Sequence, residues 1–225
     1  MFFLQCNPVR YKKANRKKSD IKYIVVHYTG NNGDTAQNNL KNASRAGRQA
    51  SAHYFVDEHE VCQSVKVKDI AYHCGTKGKY RHAYCRNANS IGVEMCSRKT
   101  LNGDYYFKPE TVNNAARFIA QLMREYDIGI AYVVRHYDVT GKICPRPYIE
   151  GAKWTEFKNL IMKYYIEEVE EMTYYETIAE IPFSAGREAV QKAVDRGVIA
   201  GTGAGLHLSE DMVRMFVFLD RLNVL

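Results

Sequence analysis

The chain has 225 residues, of which 46% are hydrophobic and 25% charged, an ordinary balance for a globular protein with room for one medium domain and a small one. No apolar stretch is long enough to span a bilayer, and Met1-Phe2-Phe3-Leu4-Gln5-Cys6 does not read as a secretory leader, so a cytoplasmic origin is expected. Six cysteines, none in a CxxC pair, exclude a disulfide scaffold and read as free thiols, Cys144 apart; a Cys74–Cys85 disulfide is conceivable only after release from the cell.

The net charge of +7 hides an asymmetry. Residues 1–166 carry 27 basic and 14 acidic side chains, a balance of +13; residues 167–225 carry 5 and 11, a balance of −6. Such a break marks a domain boundary. It predicts a catalytic-sized domain over 1–166, an acidic linker over 167–173 and a small helical module over 174–225. The basic part should be drawn to a polyanion.

Arg10, Lys12, Lys13, Arg16, Lys17 and Lys18 read as an exposed basic arm. Residues 21–28 are rich in β-branched and aromatic side chains and predict a strand ending near His27. A Gly/Asn loop follows, with Asp34 as N-cap of a helix reaching about Ala46. Residues 51–57 and 61–67 predict a hairpin turned by Asp57-Glu58-His59-Glu60. Residues 72–89 read as loop, and Asn89 to Cys96 returns to strand, carrying Glu94 among apolar neighbours.

Val112, Ala115, Ala116, Ile119, Leu122 and Met123 recur with helical period over 110–126. Residues 130–135 predict a strand that delivers His136, and 154–165 a second amphipathic helix. In the module, a helix over 185–196 ends at Gly197, and Ser209 caps another from Glu210 to Leu222. Alternating strands and helices predict an α/β domain with a central mixed sheet flanked by helices, plus the small, mainly α-helical module. The Gly201-Thr202-Gly203-Ala204-Gly205 loop has neither the preceding strand nor the acidic partner of a nucleotide fingerprint.

Three groups at predicted strand ends share one chemistry. His27, His136 and Cys144 supply two imidazoles and a thiolate, a zinc ligand set that leaves a fourth position for water. Any one of them alone would read as core; together, on loops at strand ends, they read as a site. Glu94, if partly buried, would have a raised pKa suited to proton transfer. Lys142, two residues before Cys144, could hold a developing oxyanion.

Five segments, Val25-Val26-His27-Tyr28-Thr29, Ser51-Ala52-His53-Tyr54-Phe55-Val56-Asp57, Ala71-Tyr72-His73-Cys74-Gly75, Asn89-Ser90-Ile91-Gly92-Val93-Glu94 and His136-Tyr137-Asp138-Val139-Thr140-Gly141-Lys142-Ile143-Cys144-Pro145, resemble in order those of the zinc-dependent N-acetylmuramoyl-L-alanine amidases. That family includes phage endolysins and peptidoglycan recognition proteins. The resemblance implies zinc on His27, His136 and Cys144, Glu94 as acid/base residue and Lys142 as transition-state stabiliser. It also implies that His73 touches substrate, with Tyr28, Tyr54 and Asn89 as further substrate contacts. Some relatives carry a catalytic tyrosine where this chain has Ala52, which leaves more weight on Glu94.

The C-terminal module is similar to part of an S-layer-homology repeat and to wall-binding tails of endolysins. The implied partners are peptidoglycan and wall teichoic acid, with a possible homodimer through the module. No nucleic acid and no membrane insertion are expected. The implied setting is a prophage or phage lysin, held in the host cytoplasm until lysis. The rival expectation is a recognition protein that binds peptidoglycan without cutting it.

Overall fold

The structure is a computed structural model that describes residues 10–45, 47, 49–75, 78–170, 174–201 and 203–225; Cys6 and residues 171–173 of the expected linker lie outside them. In chain order the elements are β1 (Tyr11–Lys12), β2 (Tyr23–Tyr28), α1 (Ala36–Ala43), β3 (Tyr54–Val56), β4 (Val61–Gln63), β5 (Ile70–Ala71), β6 (Ser90–Met95), β7 (Arg98–Lys99), β8 (Tyr105–Tyr106), α2 (Pro109–Tyr126), β9 (Val133–Arg135), α3 (His136–Thr140), α4 (Gly151–Glu170), β10 (Tyr174–Tyr175), α5 (Ser184–Asp195), β11 (Leu208–Ser209) and α6 (Glu210–Arg221). Two compact units result, one ending at Tyr165 and one from Ile166 to Leu225.

The first unit is built on a five-stranded mixed sheet of order β4-β3-β6-β2-β9. β3, β6, β2 and β9 run parallel, and β4 returns antiparallel to β3 across the 57–60 turn. Alternation along the strands sorts the side chains. Ile24, Val26, Ile91, Val93 and Met95 pack with α2 and α4 residues such as Ile119, Leu122, Trp154 and Phe157 in the main core. Tyr23 and Val25 face the other way, against Cys74, Cys85 and Val139. His27 and Glu94 are neighbours in register, and by the same alternation both leave the main core for the second face. Ligand sites of parallel sheets gather at the carboxyl ends of the strands, and both residues sit there.

Several sequence expectations are corrected here. The N-cap of α1 is Thr35, whose side chain accepts from the Asn38 N–H. Asp34 instead accepts from the side chains of Asn31 and Asn39. Residues 130–132 form a 3-10 turn, not strand, and His136 opens α3 rather than closing β9. Asp138 anchors this change of direction. It caps the Arg135 N–H at 2.8 Å and pairs with the Arg135 guanidinium at 2.7 Å. Residues 167–170 are the last turn of α4 rather than linker. Arg16 is no part of a free arm, for its guanidinium donates to the carbonyls of Val67, Asn87 and Ser90. The described cysteines Cys62, Cys74, Cys85, Cys96 and Cys144 are all buried thiols that form no disulfide.

The second unit pairs β10 with β11 and packs α5 against α6 around Ile181, Ala189, Val190, Leu208 and Val213. Ser209 caps α6 by accepting from the Met212 N–H. Met215, Phe218 and Leu222, at helical spacing, leave an apolar stripe of α6 exposed. Among the described residues no helix is long and apolar enough to cross a membrane.

Candidate metal centre and active site

β2 carries His27 to the end of its strand, and the Val26–Arg135 register places His136 beside it. The two imidazoles meet edge to face at 4.7 Å between ring centres. Cys144 is brought up by the loop after α3. Its carbonyl accepts from the Tyr137 N–H and its own N–H donates to the Lys142 carbonyl, at 2.8 and 2.7 Å. The thiol Sγ then lies 3.7 Å from His27 Nδ1. Donor atoms of His27, His136 and Cys144 all fall within 4.8 Å of one another, and all three residues are buried.

This triangle fits a small divalent ion. Bonds of about 2.1 Å to nitrogen and about 2.3 Å to sulfur, at tetrahedral angles, put N and S about 3.6 Å apart. Neither ring nitrogen of His136 finds a hydrogen bond of ordinary geometry, although both are buried. A buried donor or acceptor left unpaired costs about 1–3 kcal/mol, so these atoms await a partner. Burial, with the Lys142 charge adding to it and the Gly75 backbone opposing, pushes His136 down to about 4. Burial and then the His136 and His73 imidazoles hold His27 well below its usual value. Both rings are therefore neutral and able to ligate. Burial pushes the Cys144 thiol up to about 12, so the ligating thiolate would have to form with the metal.

A cleft of about 500 Å³ opens over this group, and Glu94, Lys142, Tyr28 and His73 line it. Glu94 is half-buried, and its Oε2 is fully buried without a hydrogen bond. Burial raises its carboxyl to about 8, against the pull of the Lys142 ammonium and with a smaller push from Asp34. A carboxyl poised near neutrality can both take and return a proton. Lys142 is exposed on the turn between α3 and Cys144.

The other sequence candidates fall elsewhere. Tyr54 does not line the cleft. It shares the α2-facing side of β3, packing on Phe118 at 4.6 Å with its hydroxyl accepting from Gln63. Phe55, one residue on, is the side chain that reaches the cleft. Asn89 lies just before the opposite end of β6, where it bonds the Arg86 N–H and the Tyr84 carbonyl. His73 borders the cleft but is only 6% exposed, and both its ring nitrogens already have partners within the protein. The sequence reading missed Asn39, Asn42 and Ser51, which also line the cleft. The i, i+3 spacing of the two asparagines on α1 was the one available signal.

Residues 17–147 match the family model of N-acetylmuramoyl-L-alanine amidases. The chain is 35% identical over 161 residues to N-acetylmuramoyl-L-alanine amidase CwlL of Bacillus licheniformis, a match covering 68% of this chain and 44% of that protein. It thus spans about half or less of the length of the curated relatives it matches. Among solved structures, the catalytic domain of XlyA superposes with a TM-score of 0.56 at 29% identity, covering 72% of this chain and 99% of that one. A mutant endolysin from Bacillus subtilis does so at 0.56 and 30% identity, covering 71% and 98%. With the sheet, the cleft and the His27–His136–Cys144 triangle all falling inside the matched segment, the chain belongs to the N-acetylmuramoyl-L-alanine amidase family.

Proposed function

We propose that this protein hydrolyses the amide bond between N-acetylmuramic acid and the L-alanine of the stem peptide in bacterial peptidoglycan, with zinc held by His27, His136 and Cys144. The observation that carries the reading is the juxtaposition of that donor triangle with an unpartnered carboxyl, Glu94, at the floor of one cleft. When bound, zinc supplies Lewis acidity for the scissile carbonyl and makes water nucleophilic near neutral pH.

The protein's own residues supply the rest. Glu94 accepts the proton of the attacking water and later gives it to the departing L-alanine amine, the shuttle that a carboxyl raised to about 8 can perform. Lys142, exposed at the cleft's edge, sets its ammonium against the oxyanion of the tetrahedral species. Tyr28, half-buried beside Cys144, forms part of the wall against which the sugar or peptide lies. A non-catalytic peptidoglycan binder would have no use for a buried carboxyl kept free of partners.

The likeness to a solved endolysin from Bacillus subtilis supports a lysin held in the host cytoplasm before lysis. The second unit, with its exposed α6 stripe, then serves wall attachment, through peptidoglycan or teichoic acid, or pairing of two chains. Purified protein run in a gel containing cell walls tests the activity. A clearing band abolished by chelator and restored by zinc is expected; a band indifferent to chelator overturns the metal-dependent reading.

A further inference from the structure

His73 is buried on the second face of the sheet, between the metal-ligand candidate His27 and the strand β6. Gly92 makes the space. A Cβ there would stand 2.6 Å from His73 Cγ and 2.8 Å from its Cδ2 and Nδ1, closer than real carbon atoms approach. The ring so accommodated touches protein at both nitrogens. Nδ1 lies 3.1 Å from His27 Nε2, and Nε2 lies 3.3 Å from Ser90 Oγ. Ser90, fully buried, is in turn 2.7 Å from the Arg86 carbonyl.

The direction of each hydrogen bond in this row follows from its last member. A backbone carbonyl can only accept, so the Ser90 hydroxyl donates to Arg86. Ser90 Oγ therefore presents a lone pair to His73, and His73 Nε2 must carry the proton. A neutral imidazole has one N–H, and His73, buried with only His27, Cys74 and Ser90 as ring partners and no carboxylate among them, is neutral, because a buried charge needs a counter-charge. Its Nδ1 is then an acceptor, and His27 Nε2 must be the donor. Cys74 Sγ, 3.2 Å from the same Nδ1, is compatible with this polarity, since a thiol can lend its weak S–H. The remaining nitrogen of His27, Nδ1, is left with a lone pair facing Cys144 Sγ.

We infer that His73 is a positioning residue: through the Arg86–Ser90–His73–His27 hydrogen-bond row it locks His27 in the Nε2–H tautomer and aims the Nδ1 lone pair at the metal position. This rests on the proposed metal-dependent reading, and it gives His73 a role other than substrate contact. Outer partners of this kind fix ring orientation and ligand basicity, and their loss costs about 10–100-fold in metal affinity.

The test compares wild type with His73→Ala, His73→Asn and Ser90→Ala. Zinc affinity is read by competition with a chromophoric chelator. The His27 tautomer is read in metal-free protein from the long-range ¹⁵N–¹H correlations of its ring, and thermal melting shows that each variant is folded. Wild type should show the proton on His27 Nε2. His73→Ala should lose about 10–100-fold in zinc affinity and let the Nδ1–H tautomer appear. His73→Asn, whose amide oxygen can stand where Nδ1 stood, should recover most of both. A role confined to packing would give no such rescue and no tautomer change.

The inference fails if His27 carries its proton on Nδ1 in wild type. It also fails if His73→Ala holds zinc as tightly as wild type with the tautomer unchanged. Should the alanine variant not fold, Ser90→Ala and the wild-type tautomer still decide. If wild type binds no zinc at all, the amidase reading falls, while the ring correlations of the metal-free protein continue to judge the row itself.

Discussion

Glu94 and Phe55 illustrate how much rests on which way a single strand residue points. Glu94 shares β6 with Ile91, Val93 and Met95, which are completely buried among hydrophobic partners, yet its own carboxyl is turned to the cleft and left without a partner. Replacing Glu94 by Gln keeps the shape and removes the proton shuttle. The expected result is a loss of about 10²–10⁴-fold in wall clearing with metal content unchanged; clearing at the wild-type rate would overturn the assignment. Cys144→Ser should act on the other half of the site, lowering the metal bound per chain as measured by elemental analysis, because a hydroxyl is a far poorer ligand than a thiolate. That His27, Glu94, His136 and Cys144 would come together was legible in the sequence because their residue types suit one chemistry, although His136 and Cys144 reach the cleft from α3 and the loop after it rather than from strand ends. Tyr54 was misjudged because a tyrosine next to a motif histidine looks functional, whereas the pleat of β3 gives that place to Phe55. The engagement of His73 by Ser90 and His27 depends on contacts 17 and 46 residues away, which no local pattern encodes.

Elements with a strong period were readable and those without one were not. α2 begins at Pro109, the position where a missing N–H costs nothing, and its apolar stripe fixed its span within a residue. α3 is five residues long, has no apolar stripe, and exists because the Arg135–Asp138 pair and the Tyr137–Cys144 backbone bond hold it. α1 ends at Ala43, short of the expected Ala46, and it was capped wrongly, since Asp34 and Thr35 are both competent caps and only the neighbouring Asn31 and Asn39 decide between them. That cap has a consequence: α1 supplies Asn39 and Asn42 to the cleft. Thr35→Ala should cost about 1 kcal/mol of stability and weaken substrate binding more than turnover, seen as a rise in KM with kcat nearly held.

Helix α5 gives a prediction opposite in sign to helix propensity. Glycine in a helix interior is normally improved by alanine, by about 1 kcal/mol. At Gly186 a Cβ would collide with the Phe183 ring and stand 2.8 Å from Ile181 Cγ2 and Val213 Cγ1. Ile181 and Val213 are completely buried, and overpacking of this kind costs about 1–3 kcal/mol. Gly186→Ala should therefore lower the melting temperature of the second unit, measured by calorimetry; a rise would show that α5 and α6 yield where they are packed here.

At the scale of the whole molecule, the charge break near residue 166 coincides with the division into two compact units. Composition could locate that division because each unit closes its own core. It could not show that α4 runs on to Glu170, since a run of glutamates reads equally as linker or as solvated helix. The burial of four histidines in the first unit is likewise a property of the folded whole, and it sets the acid response of the metal-free protein. Burial is the leading cause in each case: it lowers His53 to about 3 and His136 to about 4, and takes His27 and His73 well below 6.5.

An unfolded histidine binds its proton near pH 6.5. A group whose folded pKa is depressed contributes its full stability above the unfolded value and loses it as pH falls toward the folded one. Glu94, raised to about 8, works in the other direction: its contribution is present at low pH and is lost as pH rises from about 4.5 through 8. Between pH 5 and 6.5 the four imidazoles outnumber the one carboxyl, so acid should destabilise the fold. Even one histidine kept neutral through that interval costs about 2 kcal/mol at pH 5. Trp154, the chain's single tryptophan, is buried in the core of the first unit, and its fluorescence reports the unfolding of that unit alone. In urea, the midpoint of the metal-free protein should be clearly lower at pH 5 than at pH 7. Zinc should raise it at pH 7 and do much less at pH 5, because ligation needs the same neutral imidazoles and a thiolate. A midpoint that does not move between these pH values would mean that the buried imidazoles exchange protons freely, and the closed, neutral ligand pocket described for His27 and His136 would be wrong.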